Sequence, residues 1–162
     1  MEGIMPAPAA RAATGAPPAP REPPRVVAAP PIELALQAAQ AIDAACKQYP
    51  LGVAIVDAEG VAKLIYVPDR SESWHGYSAV RKAYTAVTFR VPTSQLVAKA
   101  RDEAEFGSRI KGDPNLQAFS GGLPLWVGDK LIGAIGVSGA EPGGHDEECG
   151  LAGLARIKND LK

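Results

Sequence analysis

The stretch from Gly121 to Gly139, G-G-L-P-L-W-V-G-D-K-L-I-G-A-I-G-V-S-G, constrains the fold more than any other part of the chain. It holds two short apolar runs, Leu123 to Val127 and Leu131 to Val137. Between them Gly128-Asp129-Lys130 reads as a hairpin turn, since glycine and aspartate tolerate the backbone angles such turns require. In the second run Gly133 and Gly136 carry no side chain, so another backbone or a flat ligand could come close there. The alternative is that these glycines only thin a tightly packed strand.

The rest of the composition bounds the function. At 162 residues the chain is one domain plus at most a tail, with 46% hydrophobic and 22% charged residues, as in ordinary globular proteins. A net charge of -1 and no Lys/Arg block argue against nucleic acid. No apolar run approaches the roughly 20 residues a membrane helix needs. Cys46 and Cys149 are too few for a disulfide framework. Cys46 reads as a free thiol on the buried face of a helix, with a single disulfide as the alternative.

Nine of the fifteen prolines fall in residues 1–31, amid alanines, so neither helix nor sheet can run through. This segment reads as a disordered or polyproline-like tail, and residues 32–162 as the folded domain. It lacks the unbroken apolar core of a signal peptide. Neither a cytoplasmic nor an exported setting is fixed.

From Ile32 helical spacing runs to Tyr49 and ends at Pro50-Leu51-Gly52. Val53–Asp57 and Val61–Val67 read as a strand hairpin turned by Ala58-Glu59-Gly60. Ser73–Phe89 is helical, with Tyr77, Val80, Ala83, Tyr84 and Val87 as its apolar stripe and Arg81, Lys82 and Arg90 off it. Thr93 is placed to cap a following helix carrying Leu96, Val97, Ala100 and Ala104. Gly112-Asp113-Pro114 is a loop, the glycine hairpin follows, and a last helix spans about Glu147 to Leu161. The order is that of an α+β fold with an antiparallel sheet.

Six blocks in register carry a resemblance: Val53 to Gly60, Arg81 to Ala86, Pro92-Thr93-Ser94, Gly121 to Pro124, Ile132 to Ala140, and His145-Asp146-Glu147. Together they resemble the GlcG/HbpS family of haem-binding, or haem-degrading, proteins over roughly Ile32 to Leu161. The resemblance implies a profilin-like α+β fold with a five-stranded antiparallel sheet. It also implies a homo-oligomer, tetramer to octamer, and haem or another planar tetrapyrrole as ligand.

Weighed singly, the candidate residues divide between ligand and scaffold roles. His75, between Trp74 and Gly76-Tyr77, is a candidate axial ligand to haem iron, or an exposed histidine at a loop–helix junction. Thr93 is a candidate iron ligand by resemblance, and a helix cap by position. Arg81 and Lys82 suit ligand carboxylates, or a solvated helix face. Tyr84 could stack on a macrocycle or sit in the core. Gly121 and Gly122, with Pro124, form either an amide rim for an anion or a bend opening a strand. His145-Asp146-Glu147-Glu148 could hold a divalent cation, but acidic residues opening a helix are what its dipole favours, with Asp146 as cap.

Three functions are compatible with these residues. The first is haem-type ligand binding for storage, delivery or sensing, in a pocket between the sheet and the Ser73–Phe89 helix. The second is an enzyme acting on haem or on a small hydroxy acid or carboxylate. The third is a structural accessory subunit of an oxidoreductase system. The scarcity of catalytic groups favours the first.

Overall fold

The structure is a computed structural model that describes Pro23, residues 25–141 and residues 144–162. Most of the expected disordered tail, residues 1–22 and Pro24, therefore lies outside the described residues. The elements run α1 (Ile32–Ala45), β1 (Gly52–Asp57), β2 (Ala62–Tyr66), α2 (Ser73–Phe89), α3 (Ser94–Asp102), α4 (Ala104–Gly112), β3 (Gly122–Val127), β4 (Lys130–Ser138) and α5 (Asp146–Ile157). The strands form one antiparallel sheet in the order β2-β1-β4-β3. The α+β class and both hairpins are as the sequence predicts. The strand number is not: four strands are present among the described residues, where five were expected. The chain from Arg25 to Pro31 touches the sheet end, with Ala58 N–H donating to the Ala28 carbonyl at 2.8 Å. Pro30 and Pro31 have no N–H to continue such a ladder, and the segment stays irregular.

The two faces of the sheet differ in side-chain size. Val53, Ile55, Leu123, Leu125, Ile135 and Val137 point to one side and form the main core with α1 and α5. The alternate residues, Ala54, Val56, Ala134, Gly136 and Gly122, point to the other side, where α2 lies. Strand alternation makes this division automatic. A Cβ at Gly136 would overlap the Ala79 carbonyl oxygen, and one at Gly122 would overlap the Lys82 carbonyl oxygen. The close approach predicted for the glycine hairpin is thus made by the backbone of α2. Along these glycines the expected pocket between sheet and helix is closed, because the backbone of α2 fills that space.

This contact sets the phase of α2. Its buried residues are His75, Gly76, Ser78, Ala79, Lys82, Ala83, Thr85, Ala86 and Val87, so of the expected stripe Ala83 and Val87 are buried, Val80 and Tyr84 half-buried and Tyr77 exposed. Only small side chains, or ones leaving the interface at its edge, fit beneath a helix seated on glycine. Tyr77 accordingly turns outward. Tyr84 lies over Gly60 in the β1–β2 turn, where an added Cβ would meet its ring at 2.9 Å (Cε2).

On the opposite face Cys46, just past α1, and Cys149, in the first turn of α5, are joined by a disulfide with Cα atoms 6.0 Å apart. The free-thiol reading of Cys46 is thereby corrected. The bridge closes a loop of 103 residues, for which chain entropy gives about 4.7 kcal/mol and typical measured bridges about 2–4 kcal/mol. Cys149→Ser, or reduction, should lower the unfolding free energy by an amount in that range, measured by urea denaturation with and without reductant.

Candidate functional site

Two adjoining cavities open where α2, α3, α4, the 113–120 segment and the start of α5 meet. The larger, about 530 Å³, is a groove walled by Val97, Ala100, Ile110, Leu116, Ala118 and Phe119, with Arg81, Arg101, Lys111 and Asp113 around it. The smaller, about 410 Å³, lies beneath Trp74 and Phe119, with Ser78, Lys82, Gln117, Ser138 and Asp146 in its walls. Val97, Gln117 and Phe119 belong to both. Both volumes fall within the range of small-molecule sites.

Arg81 leaves the edge of α2 and donates from Nη2 to the Leu116 carbonyl at 2.7 Å. Its Nε is buried and has no partner. A buried donor left unpaired costs about 1–3 kcal/mol. The guanidinium also stands 5.8 Å from the Tyr77 ring centroid. Arg101 is held by Asp102 at 2.7 and 2.9 Å, and this hydrogen bond raises the arginine's pKa and lowers the carboxylate's.

Lys82 is not on a solvated face. It is 3% exposed and donates from Nζ to Asp146 Oδ2 at 2.6 Å, joining α2 to the first residue of α5. The other carboxylate oxygen accepts the Ala140 N–H at 2.8 Å. Asp146 therefore does not cap α5; the N-cap is His145, without a side-chain cap bond. His145 turns outward and pairs with Glu148 at 2.8 Å. The His145–Glu148 run does not converge, and no group of three His, Cys, Asp or Glu side chains able to hold a metal occurs among the described residues.

Thr93 is likewise not a cap by its side chain. Its hydroxyl donates to the Phe119 carbonyl at 2.6 Å and accepts the Gly122 N–H at 2.8 Å, and its N–H donates to the Gly122 carbonyl at 2.9 Å. It is fully buried and ties the start of α3 to β3. Gly121 and Gly122 are buried in the same junction; an added Cβ at Gly121 would meet Asp146 Cβ at 2.8 Å. Neither forms a rim open to ligand. His75 is 6% exposed, its ring centroid 4.1 Å from that of Trp74, and its Nδ1 has no partner. It lines neither cavity.

Of the predicted site residues, Arg81 thus lines the groove and Lys82 the smaller cavity, while His75, Tyr84, Thr93, Gly121 and Gly122 line neither. Ser78, Gln117, Ser138 and Phe119 were missed. They are ordinary residues brought together from three segments, and no local spacing marks them.

This architecture, small-residue helix on one face and helix pair on the other, places the chain in a class of solved α+β folds. A double mutant of Streptomyces reticuli HbpS superposes with a TM-score of 0.71 at 32% identity, over 88% of this chain and 97% of that one. A PduOC:haem complex does so with a TM-score of 0.71 at 26% identity, over 80% of this chain and 95% of that one. Residues 31–155 match the family described as haem degrading protein HbpS-like, and the chain belongs to that family. A 15.0 kDa protein of the dhaT-dhaS intergenic region of Citrobacter freundii is 31% identical over 104 residues, 62% of this chain and 73% of that protein. The corrinoid adenosyltransferase PduO of Salmonella typhimurium is 33% identical over 97 residues, and the match spans 28% of that enzyme.

Proposed function

We propose that this protein binds haem or a closely related planar tetrapyrrole in the groove between α2, α3 and α4, for storage, delivery or sensing. The observation that carries the reading is a groove whose apolar wall of Val97, Ile110, Leu116 and Phe119 stands beside the cations Arg81 and Lys111. A tetrapyrrole presents a flat apolar ring and carboxylate arms. Val97, Ile110, Leu116 and Phe119 suit the ring, and Arg81 and Lys111 suit the carboxylates. The family description and the haem complex of the PduOC relative support the same ligand.

The iron itself is less well served. No histidine, cysteine, methionine or tyrosine lines the groove. Thr93 has both its donor and an acceptor position engaged, and His75 lies outside the lining. The groove is therefore assigned the ring and its carboxylates, and no iron ligand is assigned to His75 or Thr93. The same reading includes a homo-oligomer of four to eight subunits. Ile65 on the edge strand β2 and Tyr77 on α2 are each more than half exposed, and apolar surface of this kind suits a second copy.

Haemin titration followed at the Soret band tests the proposal. Wild type should saturate. Arg81→Ala with Lys111→Ala should weaken binding about tenfold or more, which corresponds to about 1.4 kcal/mol, without changing the band shape. His75→Ala should match wild type. Absence of saturable binding would end the haem reading, and a shifted band with sharp loss in His75→Ala would move the site. Adding reductant and oxygen separates binding from degradation: a persistent Soret band marks a binder, and its loss with bilin formation marks an enzyme.

A further inference from the structure

The smaller cavity is chemically unlike the groove. Its floor is built from side chains that proteins rarely bury: Ser78, Lys82, Ser138 and Asp146, each at least nine-tenths buried. Ser138 Oγ donates to Ser78 Oγ at 2.9 Å, and Ser78 exchanges hydrogen bonds with the Gln117 amide at 2.9 and 3.2 Å. Lys82 gives one hydrogen to Asp146. An ammonium has three donors and a primary amide two, so Lys82 and Gln117 keep N–H groups beyond these bonds. Trp74 and Phe119 form the mouth, both more than half exposed.

Charge selects among ligands. Lys82 is already neutralised by Asp146, and Glu141 is the other ionised group in the wall. A carboxylate entering here would find no free cation and two carboxylates. Spare N–H donors, serine hydroxyls and aromatic faces suit instead a ligand that is neutral, rich in oxygen and partly apolar on its C–H side. We infer that this cavity is a binding site for a small neutral polyhydroxy compound, a polyol or sugar of a size that about 410 Å³ admits. The inference does not rest on the tetrapyrrole reading, although Val97, Gln117 and Phe119 line both cavities.

Two tryptophans, Trp74 and Trp126, are present, so Trp126→Phe leaves Trp74 as the reporter. In that background, glycerol, erythritol and sorbitol would be titrated against glycolate and gluconate, with choline as a cationic probe. At least one polyol should give a saturable fluorescence change, and the matched carboxylate should bind at least about tenfold more weakly. Ser138→Ala should weaken the polyol about fivefold or more while leaving haemin titration unchanged. Its thermal midpoint is compared with that of the parent, and Ser78→Ala, which lines the smaller cavity alone, provides a second variant should Ser138→Ala unfold. Saturation by choline alone, tighter binding of the carboxylates, no saturation by any polyol, or polyol binding unaffected by both variants would each overturn the inference.

Discussion

Gly136→Val should leave little folded protein, with a loss of about 4 kcal/mol or more. The new side chain has no direction in which to yield: its Cβ would sit on the Ala79 carbonyl oxygen and 2.9 Å from the Ala83 nitrogen, both backbone atoms of α2. Overpacking against flexible side chains typically costs about 1–3 kcal/mol, and a backbone-to-backbone clash lies beyond that range because a whole helix must lift from the sheet. Gly112→Ala is the control. Nothing lies within 4 Å of its added Cβ at the end of α4, so it should be neutral or slightly stabilising. Urea denaturation followed by circular dichroism compares the two. A stable Gly136→Val protein would mean that α2 does not rest on β4 as described.

The second large effect is expected at the Lys82–Asp146 pair. Removing one partner strands a charge that is about 96% buried, and such a loss typically costs about 3–5 kcal/mol. Lys82→Met and Asp146→Asn should each fall in this range. Lys82→Met combined with Asp146→Asn should lose clearly less than the sum. Asparagine still offers an oxygen to the Ala140 N–H, and methionine fills the space without a charge. Additive losses would show that the two residues do not act as a pair.

These expectations rest on features that the chain announces to different degrees. The hairpins were legible because turn glycines separate apolar runs, a local signal. The helical extent of Ser73–Phe89 was legible from its period. Its buried face was legible only in part: Ala83 and Val87 are buried as expected, but hydrophobicity also placed Tyr77 inward, whereas the close approach of α2 to the glycines of β3 and β4 leaves its ring outside. Size complementarity between segments far apart in sequence overrode the hydrophobic stripe at that position. The helix expected after Thr93 is in fact two, parted at Glu103, whose backbone is extended with φ -102° and ψ 107°. No glycine or proline marks that break. It arises because α4 folds back on α3, where Gly107 meets the Ala100 carbonyl.

The site was legible only in part for the same reason. Arg81 and Lys82 stood out as cations, yet neighbours in sequence serve different cavities, because one lies at the edge of α2 and the other beneath it. Thr93 read as a cap, since cap residues are recognised by type. Its hydroxyl is taken by Phe119 and Gly122, partners 26 and 29 residues away. The disulfide was likewise open in the sequence. Two cysteines 103 residues apart do not reveal whether helices α1 and α5 bring them together.

The central claim, that a tetrapyrrole lies in the groove between α2, α3 and α4, is tested most directly by a crystal structure of the protein with haemin, using the anomalous signal of iron. An iron peak is expected over Val97, Leu116 and Phe119, with the propionate oxygens within hydrogen-bonding distance of Arg81 and Lys111. An iron peak bonded to His75, or one seated anywhere outside the groove, would contradict it.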